Sequence, residues 1–551
     1  MELISQHAKK IMEGCKERAR DVGLRFQDDS LEYIVTNRDI LELSPKTMIP
    51  TLYDYWVQDV EVLRESGRYE LFPSNPYETV INTRPPISFY NDNNPDWLNV
   101  MIFYHVIGHM DFFQNNLFFQ HTWDYDFTSK ALSDKRLIGQ LRSEKGRWVD
   151  YIIEFAKSID NLVGYFSVMS EQRKISATQT QTAVDYYFDV FLQQEVETTV
   201  PDYFKEIERF NLLIGENREE AEQLFLDEVR SRYTEFESYW QKHQQQAKTT
   251  NHCDLLEFIM EHSDFLNKEE NRWMKMVIEV VRNTSLYFQP QIRTKILNEG
   301  WASYWHENLF LSDDRIRGHE IDFARVHAKV TSMRRVGLNP YALGMRLFCF
   351  LETMADKGRI SSDYHRLKDR TKRETFNTGG GKGRDFIFNV RETYCDSMFI
   401  ADYLSQDFVD EHQLFVAGRR LNEERMTWQY YVKSRKAENY RDMVLDSLYH
   451  PPTIQFEATP ANHLHLQHLF EGKPLVRDYI AGTMLGIEYL WGDQVILDTF
   501  EPIKNKVPTE SDDTVKTETP RQQINWQKYR YIMRDRQLSR EEQAWKGSID
   551  A

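Results

Sequence analysis

At 551 residues the chain exceeds what one hydrophobic core ordinarily serves, so two or more structural units are expected. Glycine (23) and proline (17) fill about 7% of positions where ~12% is ordinary, which argues against collagen-like, disordered and many-stranded β architectures. Hydrophobic residues at 41% and charged residues at 28% describe a helix-rich globular protein, and a formal charge of −17 opposes a phosphate backbone, so nucleic acid is not an expected partner.

The N-terminal stretch MELISQHAKKIMEGCKERARDVGL carries charge throughout, unlike a secretory leader, and no later run approaches the ~18 apolar residues of a membrane span. Cys15, Cys253, Cys349 and Cys395 are dispersed without a C-x-x-C pair, which points to a reducing compartment; a cytoplasmic location is expected. Residues 71–96, dense in Pro, Asn and aromatics, read as an irregular buried segment. From Asp96, read as an N-cap, a helix apolar almost all round follows, and such a helix belongs at the centre of its domain. Residues 135–245 carry the three- and four-residue spacing of long amphipathic helices, and the polar run 243–251 reads as a linker. A second helical set follows, interrupted at Pro290 and broken again by FNTGGGKGRD at 376–385.

The fold expected is therefore mainly α: a large multi-helix N-terminal region, 1–435, with a sub-boundary near 243–251. Beyond it, TIQFEA, NHLHLQHLF and QVILDTF surround one helix pattern, so 436–503 is expected as a small α+β domain. Residues 504–551 are expected as a mobile polar tail, within which WQKYRYIMRDRQLSREEQAW has the composition of a docking helix.

His105 and His109 stand four apart in YHVIGHMDFF, ~40° apart around a helix, so both imidazoles can reach one ion. Burying them in so apolar a helix is costly unless each has a specific partner. Glu299, in NEGWASYWH, lies seven residues before His306, so these two also share a helix face. A glutamate in that setting needs an ion pair, with Arg293 or Lys295 nearby, or a metal. Together the residues form a candidate His105/His109/Glu299 site with His306 as fourth ligand or proton shuttle, and Asn298 and Asp111 to orient the imidazoles. The set suits one metal ion, and two histidines with a carboxylate do not exclude iron. His319, His327 and the group His463, His465 and His468 are weaker candidates. His252-Cys253-Asp254 is better explained by Asp254 capping a helix, and Arg391-Glu392 by an ion pair.

The runs HVIGHMDFFQNN (105–116), YFQPQIRTKILNEGWASYWH (287–306), NPYALGMRLF (339–348), FIFNVRETYCDSMFIADYL (386–404) and GTMLGIEYLWGDQVILDT (482–499) together resemble the stage V sporulation protein R family. The resemblance implies a bacterial cytoplasmic protein linked to spore cortex formation, or to stress physiology where no spores are made. It also implies a PrkA-type serine kinase and a von Willebrand A-like protein as companions. HVIGH is similar to the H-E-x-G-H helix of gluzincin peptidases, which implies His105 and His109 as paired zinc ligands and Glu299 as the third. The family's catalytic glutamate is here Val106, so a water-activating base would have to be Asp111, Glu307 or His306. Two functions follow: a zincin-like hydrolase or amidase, or a non-catalytic regulatory partner of the kinase with a degenerate metal site.

Overall fold

The structure, a computed structural model, describes residues 2–36 (except 28), 78–123, 127–163, 183–241 apart from short breaks, 254–422 (except 335), 427–448, 451–503 and 525–544. Two compact units emerge, one from Met1–Val163 with Ile259–Ala551 and the other from Gly164–Phe258. The expected linker at 243–251 lies outside the described residues. In the inserted unit, helices Val200–Glu216 and Arg218–Arg232 accompany an aromatic core of Tyr187, Phe191, Phe225 and Phe236.

The larger unit begins with strand β1 (Glu2–Leu3), helix α1 (Gln6–Asp21) and strand β2 (Leu31–Val35), and continues with β3 (Glu78–Ile81) and β4 (Ile87–Asn91). These form one sheet in the order β1-β2-β4-β3, in which β2 and β4 run parallel. Part of the segment expected to be irregular is thus regular strand. Helix α2 (Asp96–Asn115) follows, and every residue from Val100 to Phe113 is buried, as its all-round apolar pattern requires. Its N-cap is Pro95, and Asp96 is instead the first helical residue, where its charge favours the positive end of the helix.

Helix Arg272–Arg293 runs through Pro290 rather than stopping there. The proline sits in the last turn, so the one ladder hydrogen bond that its missing N–H removes lies at the end of the helix. Next come α3 (Lys295–Leu311), α4 (Glu320–Thr331), α5 (Pro340–Asp356), α6 (Gly383–Thr393) and α7 (Asp396–Tyr403). Thr294, the N-cap of α3, makes no side-chain cap. Asp396 of α7 supplies it from outside, accepting from the backbone N–H groups of Ile296 (2.8 Å) and Leu297 (2.9 Å).

Helix α3 lies between α2 and α5 at backbone contact. A Cβ on Gly108 would come within 2.7 Å of Ala302 Cα, and one on Gly344 within 2.1 Å of the Ile296 carbonyl oxygen. Gly108, Gly300 and Gly344 therefore permit approaches that no larger residue allows.

Strands β5 (Val416–Asn422) and β6 (Thr427–Ser434) form a hairpin inside the region expected to be helical. The C-terminal sheet has the order β11-β10-β9-β8-β7, built from β7 (Thr453–Ala458), β8 (Leu464–Leu469), β9 (Val495–Pro502), β10 (Trp526–Arg534) and β11 (Gln537–Glu542). Helix α8 (Arg477–Trp491) makes the crossover between parallel β8 and β9. The last two strands correct the expectation of a polar tail with a docking helix. Trp526–Met533 pair with β9, and Asp535 and Arg536, both at positive φ, turn the chain back into β11. Nor do residues 436–503 stand apart as a separate unit: Tyr489 of α8 packs on Phe155 and Trp148, and Ser263 donates to the Leu490 carbonyl. Among the described residues no helix is long and apolar enough to cross a membrane.

Candidate metal centre

Contacts between α2 and α3 pair His105 with His306, Gly108 with Ala302, and His109 with Asn298, so the helices run antiparallel. This brings the two histidines of α2 against the glutamate of α3. Glu299 Oε2 lies 3.7 Å from His105 Nε2 and 3.6 Å from His109 Nε2, and the three ligand atoms fall within 4.8 Å of one another. Both histidines are buried, and the Glu299 side chain, 16% exposed, turns its buried Oε2 toward them.

The other nitrogen of each imidazole decides what Nε2 presents. His109 Nδ1 lies 2.8 Å from Asn298 Oδ1, an acceptor, so it carries the proton and Nε2 offers a lone pair. His105 Nδ1 lies 3.0 Å from His306 Nδ1, and His306 Nε2 lies 2.8 Å from His327 Nδ1. His327 Nε2 in turn lies 3.4 Å from Glu307 Oε1. Burial, reinforced by the surrounding imidazoles, holds His306 well below the ordinary histidine range, so it is neutral. Burial also lowers His327, more than the Glu307 charge raises it.

Asn298 thus orients an imidazole as expected. His306 does not join the three ligand atoms: two helical turns from Glu299, it meets the far side of His105 and is engaged at both nitrogens. Asp111 is also corrected. Two residues beyond His109, it points ~200° around the helix. There it accepts from Trp301 Nε1 (2.8 Å) and the Arg25 backbone (2.7 Å), and its Oδ2 lies 3.3 Å from Arg391 Nε. Burial raises Asp111 to about 6, with Arg391 opposing the rise. Asp111 and Arg391 are completely buried, and the guanidinium also packs over Trp301 and Phe388. Arg391 has a second, longer contact with Glu392 at 3.7 Å, the pairing expected from sequence.

The remaining candidates have local partners. His319 stacks on Trp97, His463 lies 3.5 Å from Asp493, His465 contacts Asp498 at 3.1 Å, and His468 contacts Thr499 at 2.9 Å. Asp254 accepts from the Glu257 N–H as a helix cap.

A mainly helical chain with two histidines and a glutamate clustered on antiparallel central helices defines the class. A family model described as SpoVR like protein matches residues 2–450, and the chain belongs to that family. It is 22% identical over 427 residues to "Uncharacterized protein YcgB" of Escherichia coli (strain K12), covering 74% of each chain. No solved structure matches.

Proposed function

We propose that the chain is a metal-dependent, zincin-like hydrolase or amidase in which His105, His109 and Glu299 hold one divalent cation, with zinc the first choice and iron the competitor. The observation that carries this reading is the convergence of two imidazole lone pairs and a carboxylate within 4.8 Å. Three acceptors facing one point at this depth repel one another, and a cation relieves that repulsion. When bound, zinc lowers the pKa of a coordinated water to about 7 and polarises a carbonyl. The chain's own part is to hold the imidazoles in the ligating tautomer through Asn298 and His306.

A second reading has its own support: Val106 is fully buried where gluzincins carry their base. On that reading the centre is structural and the chain is a regulatory or scaffold partner of a PrkA-type serine kinase, alongside a von Willebrand A-like protein. A link to spore cortex formation or stress physiology is compatible with either.

Glu299→Gln separates the two. With zinc-loaded full-length protein and a panel of peptide amides, hydrolysis is expected to be lost while the circular dichroism spectrum and kinase co-purification persist. Undiminished hydrolysis in Glu299→Gln would exclude this centre as its source; no hydrolysis in wild type, with kinase binding intact, would favour the regulatory reading.

A further inference from the structure

His105 is the first of three imidazoles in a row, and the row ends on a carboxylate. His105 Nδ1 meets His306 Nδ1 at 3.0 Å, His306 Nε2 meets His327 Nδ1 at 2.8 Å, and His327 Nε2 meets Glu307 Oε1 at 3.4 Å. His306 is 1% exposed, but the Glu307 side chain is 34% exposed, so the row leads outward from the core. His327 is held from the side by stacking on Phe323, with ring centroids 5.2 Å apart.

A neutral imidazole has one N–H and one lone pair, and an ionised carboxylate only accepts. The carboxylate at its outer end biases the whole row in one direction. The Glu307 carboxylate, 3.4 Å from His327 Nε2, favours by its charge the tautomer with the N–H on that nitrogen, and in that tautomer His327 Nδ1 accepts from His306 Nε2–H. His306 Nδ1 then accepts from His105 Nδ1–H, which leaves the lone pair of His105 on Nε2, the nitrogen facing Glu299. The same row without its carboxylate could run in either direction, and in the reverse direction His105 would turn an N–H toward the metal position.

We propose that Glu307, His327 and His306 are positioning residues that lock His105 in its metal-binding tautomer, so that a partly exposed carboxylate three rings away sets the affinity of the centre. This rests on reading His105, His109 and Glu299 as a metal site. Partners behind a ligand histidine typically contribute 10- to 100-fold to metal affinity. The outer links of the row should lie at the low end of that range.

The test uses the full-length chain titrated with Co²⁺ and Zn²⁺ against a chromogenic chelator, with the visible absorption of bound cobalt as a second readout. His327→Phe keeps the ring and its stacking but removes both nitrogens, and is expected to weaken binding about tenfold and shift the cobalt bands. Glu307→Gln, at a partly exposed position that tolerates the change, is expected to weaken binding a few-fold alone and not at all in the His327→Phe background, because the row is already cut. A purely local packing role would give additive losses and an unshifted cobalt spectrum, and either result overturns the relay. If wild type binds cobalt, His105→Ala abolishes that binding, and both relay variants bind as wild type does, the relay fails and the metal site stands. If wild type binds neither ion, the metal reading fails and takes the relay with it.

Discussion

Gly344→Ala is expected to cost about 3 kcal/mol or more and to leave too little folded protein to assay near physiological temperature. The added Cβ would sit 2.1 Å from the Ile296 carbonyl oxygen and 2.8 Å from Gly300 Cα. Both are backbone atoms of α3, so no rotamer change relieves the clash. Only separation of α3 from α5 does, and α3 is the helix that carries Asn298, Glu299 and His306. Urea unfolding of wild type and variant measures the cost. Gly482→Ala, where a Cβ meets nothing within 4 Å, is the control expected to be neutral or slightly stabilising. A Gly344→Ala protein as stable as wild type would show that the helices do not approach this closely.

Arg391→Met is expected to destabilise by about 3–5 kcal/mol, since it leaves the Asp111 carboxylate buried without its cation. The sign of its pH dependence follows from the carboxyl itself. Burial already raises Asp111 from 3.8 to about 6, so ionising it works against folding as pH climbs through that interval. Without the guanidinium the folded-state pKa rises further and the interval extends upward. The deficit of the variant is therefore larger at pH 8 than at pH 5, where the carboxyl is protonated in the folded state of both proteins. Adding Asp111→Asn to Arg391→Met should recover part of the loss, and chemical denaturation at the two pH values reads all of these effects. An equal deficit at both pH values would show that Arg391 acts through packing on Trp301 and Phe388 instead.

What the sequence disclosed follows from how far apart the interacting residues lie. His105 and His109 are legible because a four-residue repeat on one helix is a local pattern, and Glu299 because a carboxylate in a run of aromatic and small residues needs a partner. The shared face of His306 with Glu299 is visible in the spacing, but which side of His105 it reaches depends on how α2 and α3 cross. The links Asp111–Arg391, Asp396 to the start of α3, and His306–His327 join distant residues, and no spacing rule connects them. The hairpin β10–β11 escaped because its turn uses Asp535-Arg536 where two positive-φ residues usually call for Asn or Gly. Its strands, rich in Lys, Arg and Glu, read as tail once the turn goes unrecognised.

The central claim, that His105, His109 and Glu299 form a metal centre, is tested most directly by elemental analysis of the full-length protein purified without added metal or chelator. About one equivalent of zinc or iron per chain is expected in wild type, falling to background in His105→Ala/His109→Ala with the circular dichroism spectrum unchanged. Wild-type protein that contains no metal and takes up none on dialysis, or a double variant that retains the full equivalent, would contradict it.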